Sequence, residues 1–176
     1  MRTLLLSAVA ALALAACSPP AGKGPAAPGP GEGPASVACN ELTPDTAHPV
    51  ALEGEVAVAA AVTDLRGGRI TPGTYDLASG NRIGGPVGWT GVRAIALDVR
   101  EGEAGTIFHW AAAIPGGETE RWTAGFIDTP GPHLTYTCGR TGGVDLAFTA
   151  EPNGLRLRIP EESGAGSLYL VFVRRS

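Results

Sequence analysis

Cysteine and histidine are both scarce in this chain of 176 residues, with three of each. The histidines, His48, His109 and His133, stand far apart, whereas a metal site wants clustered ligands with supporting partners. They read as solvated imidazoles, with no metal site. No CxxC pair occurs, which removes the usual redox and zinc frameworks. Positive charge is thin, with 13 Lys and Arg against 17 Asp and Glu. Without a basic stripe, that balance excludes nucleic acid and charge-driven binding to anionic lipid. No Gly-x-Ser-x-Gly elbow surrounds Ser163 or Ser167, and the glycine pairs lack the Lys-Ser/Thr of a phosphate loop. Glu118 and Glu120 have the i, i+2 spacing that sets carboxylates roughly 7 Å apart, inside the glycosidase range. They stand at a turn edge, where solvated charge is the default. The reading is therefore no catalytic residue, no cofactor and no enzyme.

One apolar run stands out, Leu4 to Leu14, interrupted only by Ser7 and preceded by Arg2. It is too short for a hydrocarbon core of ~30 Å, which takes roughly 20 residues. Its flanking charge, its length and the small residues after it describe a secretory signal over residues 1–16. Leu14-Ala15-Ala16-Cys17 resembles the lipobox of bacterial lipoproteins at all four positions. In that family the Cys thiol takes a diacylglyceryl group, the peptide is cut before it, and the new amine is acylated. The resemblance thus implies lipidation of Cys17 and a membrane partner reached through that lipid. Several acyl chains make such anchoring stable, at ~0.8 kcal/mol per buried CH₂. Ser18 after the Cys, where Asp favours retention in the inner membrane of Gram-negative bacteria, leans the resemblance toward the outer membrane.

Residues 17–38 then form a tether. From Ser18 to Ala38 there are six Pro and five Gly in 21 positions. Proline fixes φ and removes donors, so neither helix nor sheet is expected. Extended as polyproline II the stretch reaches about 65 Å, and as a flexible coil roughly 25 Å. Residues 39–176 remain for one β-domain of ordinary size. Its two cysteines, Cys39 and Cys138, are an even pair in an exported chain, which reads as a disulfide.

Helix signals are poor. Even Glu53 to Asp64 carries alternating Val56, Val58 and Val62, so strand or irregular structure is expected there, or a short helix. Beyond it, glycine and proline turns bound short runs of period two. Ile95, Leu97 and Val99 share a face, as do Phe108, Trp110 and Ala112, then Trp122, Ala124 and Phe126. Leu134, Tyr136 and Cys138 follow, then Val144, Leu146 and Phe148, then Leu155, Leu157 and Ile159, and last Leu168, Leu170 and Phe172. Half-buried strands with frequent turns predict an all-β fold, an antiparallel meander of eight to nine strands. A barrel is favoured over a sandwich because closure removes exposed edges. Arg93, Glu120, Asp145, Arg156 and Arg158 are placed outward, against a membrane-spanning barrel, whose outer band is apolar. Asn153-Gly154 reads as a type I′ hairpin turn.

Gly67 to Leu77, "GGRITPGTYDL", resembles a segment of predicted bacterial lipoproteins with the pattern Gly-Gly-x-Ile-x-x-Gly-x-Tyr-x-Leu. There it opens a β-domain after a lipobox, a low-complexity tether and an early Cys. The architecture is also lipocalin-like. Tyr75, Phe108, Trp110, Trp122, Phe126, Tyr136 and Phe148 fall on inward faces. An eight-stranded barrel is just wide enough to be filled by such side chains or to hold one small ligand. Core packing is the preferred reading of these seven and ligand lining its alternative. The expected function is a lipid-anchored envelope lipoprotein whose β-domain is a structural or protein-interaction module. Binding of a small apolar ligand or lipid is the second reading.

Overall fold

The structure is a computed structural model, and it describes residues 38–53, 65–84, 91–160 and 166–176. The signal segment, Cys17, nearly all of the tether, Trp89, Ser163 and most of the Glu53–Asp64 stretch lie outside the described residues. The fold is all-β. Among the described residues, ten strands make one mixed sheet: β1 Val50–Glu53, β2 Gly73–Ile83, β3 Val92–Gly102, β4 Gly105–Ala113, β5 Thr119–Ile127, β6 His133–Cys138, β7 Gly143–Asp145, β8 Ala147–Glu151, β9 Gly154–Pro160 and β10 Ser167–Arg174.

Strands β3 to β7 form the expected antiparallel meander, and β10 returns beside β2 to give the order β7-β6-β5-β4-β3-β1-β2-β10-β9-β8. Two details raise the strand count above the expected eight or nine. The run Val144 to Phe148 is split at Leu146 into β7, which pairs with β6, and β8, which pairs with β9. The sequence pattern also gave no notice of β1. It runs parallel to β2 through Leu52 and Gly80, and antiparallel to β3 through Val50 and Arg93. It fills the gap left where β2 and β3, paired from Gly73–Val99 to Asp76–Ala96, separate.

The hydrogen-bonded ladder is open among the described residues, yet its two end strands are consecutive pieces of chain. Leu146, which joins them, is buried and donates its N–H to the Pro132 carbonyl. The free side of β8 is covered by Gly67, which exchanges hydrogen bonds with Phe148 and Ala150. Gly67 has a φ of 72°, a conformation that glycine adopts without steric cost. The rest of the Gly-Gly motif is structural too. Ile70, Tyr75 and Leu77 pack in the core, and the Tyr75 hydroxyl donates to the Thr71 carbonyl at 2.5 Å.

The pairing corrects four sequence expectations. The β8–β9 turn centres on Pro152-Asn153, because Glu151 pairs with Gly154. Proline holds φ near −65°, so this turn is not type I′. Arg93 shares its face with Ile95, and Glu120 sits opposite the core residue Ala112, so both lie on the core side near strand ends rather than outward. Cys138 leaves the face of Tyr136. In β5–β6, Thr123 pairs with Cys138 and the next residue, Ala124, with Tyr136, which makes Thr137 an extra residue on β6. Such a bulge reverses the facing of everything beyond it.

Candidate functional site

The inward faces meet in one apolar cluster. Tyr75, Phe108, Trp110, Trp122, Phe126 and Phe148 are buried there, and Tyr136 is partly buried against them. They pack on one another. Phe108 and Phe126 stack with centroids 5.0 Å apart, and Trp122 meets Tyr136 edge-on at 5.3 Å. Phe126 likewise meets Phe148 at 5.5 Å, and Trp110 meets Phe172 at 5.9 Å. Aromatic pairs in such geometries add ~0.5–1.5 kcal/mol each beyond the area they bury. All seven residues expected on inward faces are thus brought into one cluster, six of them in ring contact with another of the set.

The cluster ends on charge. Arg140 donates to Glu120 from Nε at 3.0 Å and also from Nη2, and its guanidinium lies 5.8 Å from the Tyr136 ring centre. Burial opposes the charge on Arg140, but the bond to Glu120 and its charge carry the guanidinium above its ordinary pKa. Burial lowers that of Arg93, against the pull of Glu120. Glu118 is exposed at the turn before β5.

On the opposite face of the sheet, residues 38–48 form a strap that sequence reasoning missed. The Cys39–Cys138 disulfide, spanning 99 residues with Cα atoms 5.5 Å apart, fixes its start. The Thr137 bulge is what turns Cys138 to meet it. Asn40 Nδ2 donates to the carbonyls of Trp110 at 3.2 Å and Trp122 at 2.9 Å, Arg121 donates to the Leu42 carbonyl, and Arg175 to that of Thr43. Ala94, Ala96, Ala111 and Ala113, on this outer face of β3 and β4, are buried as well. Small side chains here leave room for covering chain. The one hint in the sequence was this alternation of Ala with larger residues.

A cleft of about 500 Å³ opens between the strap and the outer face of β2, β3 and β4, lined by Thr74, Asp98, Arg100, His109 and Arg175 opposite Cys39 to Thr43. Asp98 is buried; its carboxylate accepts from Thr74 Oγ1 at 3.1 Å and from Arg100 Nε at 2.5 Å. Asp76 accepts from Arg175 Nε at 2.7 Å and Nη2 at 2.5 Å. His109 is the cross-strand partner of Asp98, and its Nδ1 lies 3.1 Å from Thr123 Oγ1. Thr123 spends its only hydroxyl proton on the Cys39 carbonyl, at 3.1 Å. It therefore accepts from His109, which puts the imidazole proton on Nδ1 and leaves Nε2 an acceptor. Burial, then the Arg100 charge, hold His109 below its ordinary pKa against the pull of Asp98.

The other histidines lie apart. His48 pairs with Asp45 at 2.7 Å and His133 with Asp145 at 2.7 Å. No cluster of three or more metal-ligating side chains occurs among the described residues. A second cleft, of about 320 Å³, has Arg69, Ile70, Val99, Glu101, Phe126 and Asp128 on its walls. A third, of about 490 Å³, lies over Ile127, Pro130, Pro132 and Leu146, next to the His133–Asp145 pair. No protein-family model, no curated protein and no solved structure matches this chain.

Proposed function

We propose that the protein is a lipid-anchored lipoprotein of the bacterial envelope, held in the outer membrane through Cys17, whose β-domain acts as a structural or protein-interaction module. The lipobox resemblance supports the anchor. The packing of the aromatic side chains supports the module: six of the seven that would line a ligand cavity are instead in ring contact with one another, led by the Trp110–Trp122 stack. A domain so filled works through its surface and its strap. The alternative, a lipocalin-like barrel holding a small apolar molecule, needs those aromatics to part.

The anchor is tested by expressing the full chain in a Gram-negative host, separating membrane from soluble fractions, and weighing the N-terminal peptide. The proposal expects a tri-acylated Cys17 in the membrane fraction. Cys17→Ser is expected to leave the chain uncleaved or soluble. Wild-type protein found soluble and unacylated overturns the reading.

A further inference from the structure

The cleft under the strap has free hydrogen-bonding capacity of a definite kind. On the sheet wall the lining carboxylate, Asp98, is satisfied by Thr74 and Arg100, and Arg175 is held by Asp76 outside the cleft, while Glu41 faces it from the strap. Arg100 uses only Nε on Asp98, and its side chain is 68% exposed, so both terminal nitrogens remain as a planar donor fork. His109 adds one acceptor, Nε2, because its Nδ1 proton is committed to Thr123. Arg100 and His109 stand on adjacent strands, in the diagonal relation that brings long side chains within reach of a shared partner. A fork of donors beside a single acceptor matches an acid that carries anionic oxygens and also a hydroxyl proton.

We propose that this cleft binds a small hydroxylated oxyacid, with the Arg100 fork on its anionic oxygens and His109 Nε2 accepting its hydroxyl proton. Guanidinium forks suit the planar spacing of such oxygens, and these bonds are strengthened by charge. Two sources share that chemistry: a phosphate that retains a proton, and a 2-hydroxycarboxylate. The disulfide then has a second role. It holds the Cys39 carbonyl on Thr123, and through Thr123 it fixes the tautomer of His109.

The test follows the imidazole nitrogens by ¹⁵N NMR in the full chain carrying Cys17→Ser, titrated separately with inorganic phosphate and with lactate, and with chloride at matched ionic strength. His48 and His133 lie outside the cleft and act as internal references. The proposal expects a saturable shift of His109 alone with at least one of the two acids, and the responding acid identifies the class. Arg100→Gln is expected to weaken that binding by about tenfold, as loss of a charge-assisted pair does. Arg156→Gln serves as a control for changed net charge and is expected to keep it. Absence of a saturable His109 shift with both acids overturns the proposal. So does an equal response from chloride, or unchanged affinity in Arg100→Gln.

Discussion

Trp110 and Trp122 face each other directly across β4 and β5, with ring centroids 5.0 Å apart and planes within 11° of parallel. The same two residues offer their backbone carbonyls to Asn40 on the strap. The centre of the core and the covering of the outer face thus meet at one cross-strand pair. Both indoles are almost fully buried.

Trp122→Ala is therefore expected to cost about 3 to 5 kcal/mol, as a large aromatic truncation in a packed core. Denaturant unfolding of the Cys17→Ser chain measures it. Arg156→Ala, which removes a partly exposed pairing with Glu151, is expected to cost about 1 kcal/mol or less.

Gly139 gives a sharper steric case. Its φ is 80°, and a Cβ there would lie 2.1 Å from the Arg121 carbonyl and 3.0 Å from the Cys39 sulfur. Gly139→Ala is expected to destabilise by roughly 2 to 4 kcal/mol through left-handed strain and backbone clash. Free-thiol counting should also show a larger unpaired fraction of Cys39 and Cys138 than in the parent.

The alternation of apolar residues made most of the sheet legible, from β3 to β10, together with the buried faces of Phe108, Trp110, Trp122 and Phe148. It failed where one residue shifts the phase. The Thr137 bulge reversed Cys138, and no feature of "HLTYTC" announces it. Strand β1, "VALE", is only four residues long, too short for periodicity to register. Glu120 and Arg93 read as outward because charge usually is, yet Glu120 pairs with Arg140 on the core side and so can sit there. The cleft was not legible at all, since its two walls are separated in sequence by some 30 to 130 positions.

Reduction of the Cys39–Cys138 bond is expected to lower stability by about 2 to 5 kcal/mol, the range for a bond closing a loop of this length. Comparing unfolding of the oxidised and reduced chain measures this. Hydrogen exchange should show the largest gain at the strap, residues 38–48.

His109 makes stability depend on pH. Its folded pKa lies below the ordinary 6.5, so the unfolded chain takes up this proton first. Stability is thus complete above about pH 7 and falls as the pH drops below about 6.5, levelling once the folded imidazole also protonates. The charges acting on it are Arg100 and Asp98 on β3, Thr123 on β5 is its hydrogen-bond partner, and Arg175 beside it and Glu41 on the strap line the same cleft. Comparing His109→Gln with the parent from pH 8 to pH 5 isolates the effect, and the variant is expected to show a shallower decline.

The central claim is that the aromatic interior is packed on itself and the domain acts through its surface. Titration of an apolar fluorescent probe into the full chain carrying Cys17→Ser, with Trp122→Ala beside it, tests this most directly. The account predicts no saturable probe binding by the parent, and a Trp122→Ala protein that is strongly destabilised. Saturable binding by a stable parent, abolished in a Trp122→Ala variant that keeps the parent's stability, would contradict it and make the domain a carrier of small apolar molecules.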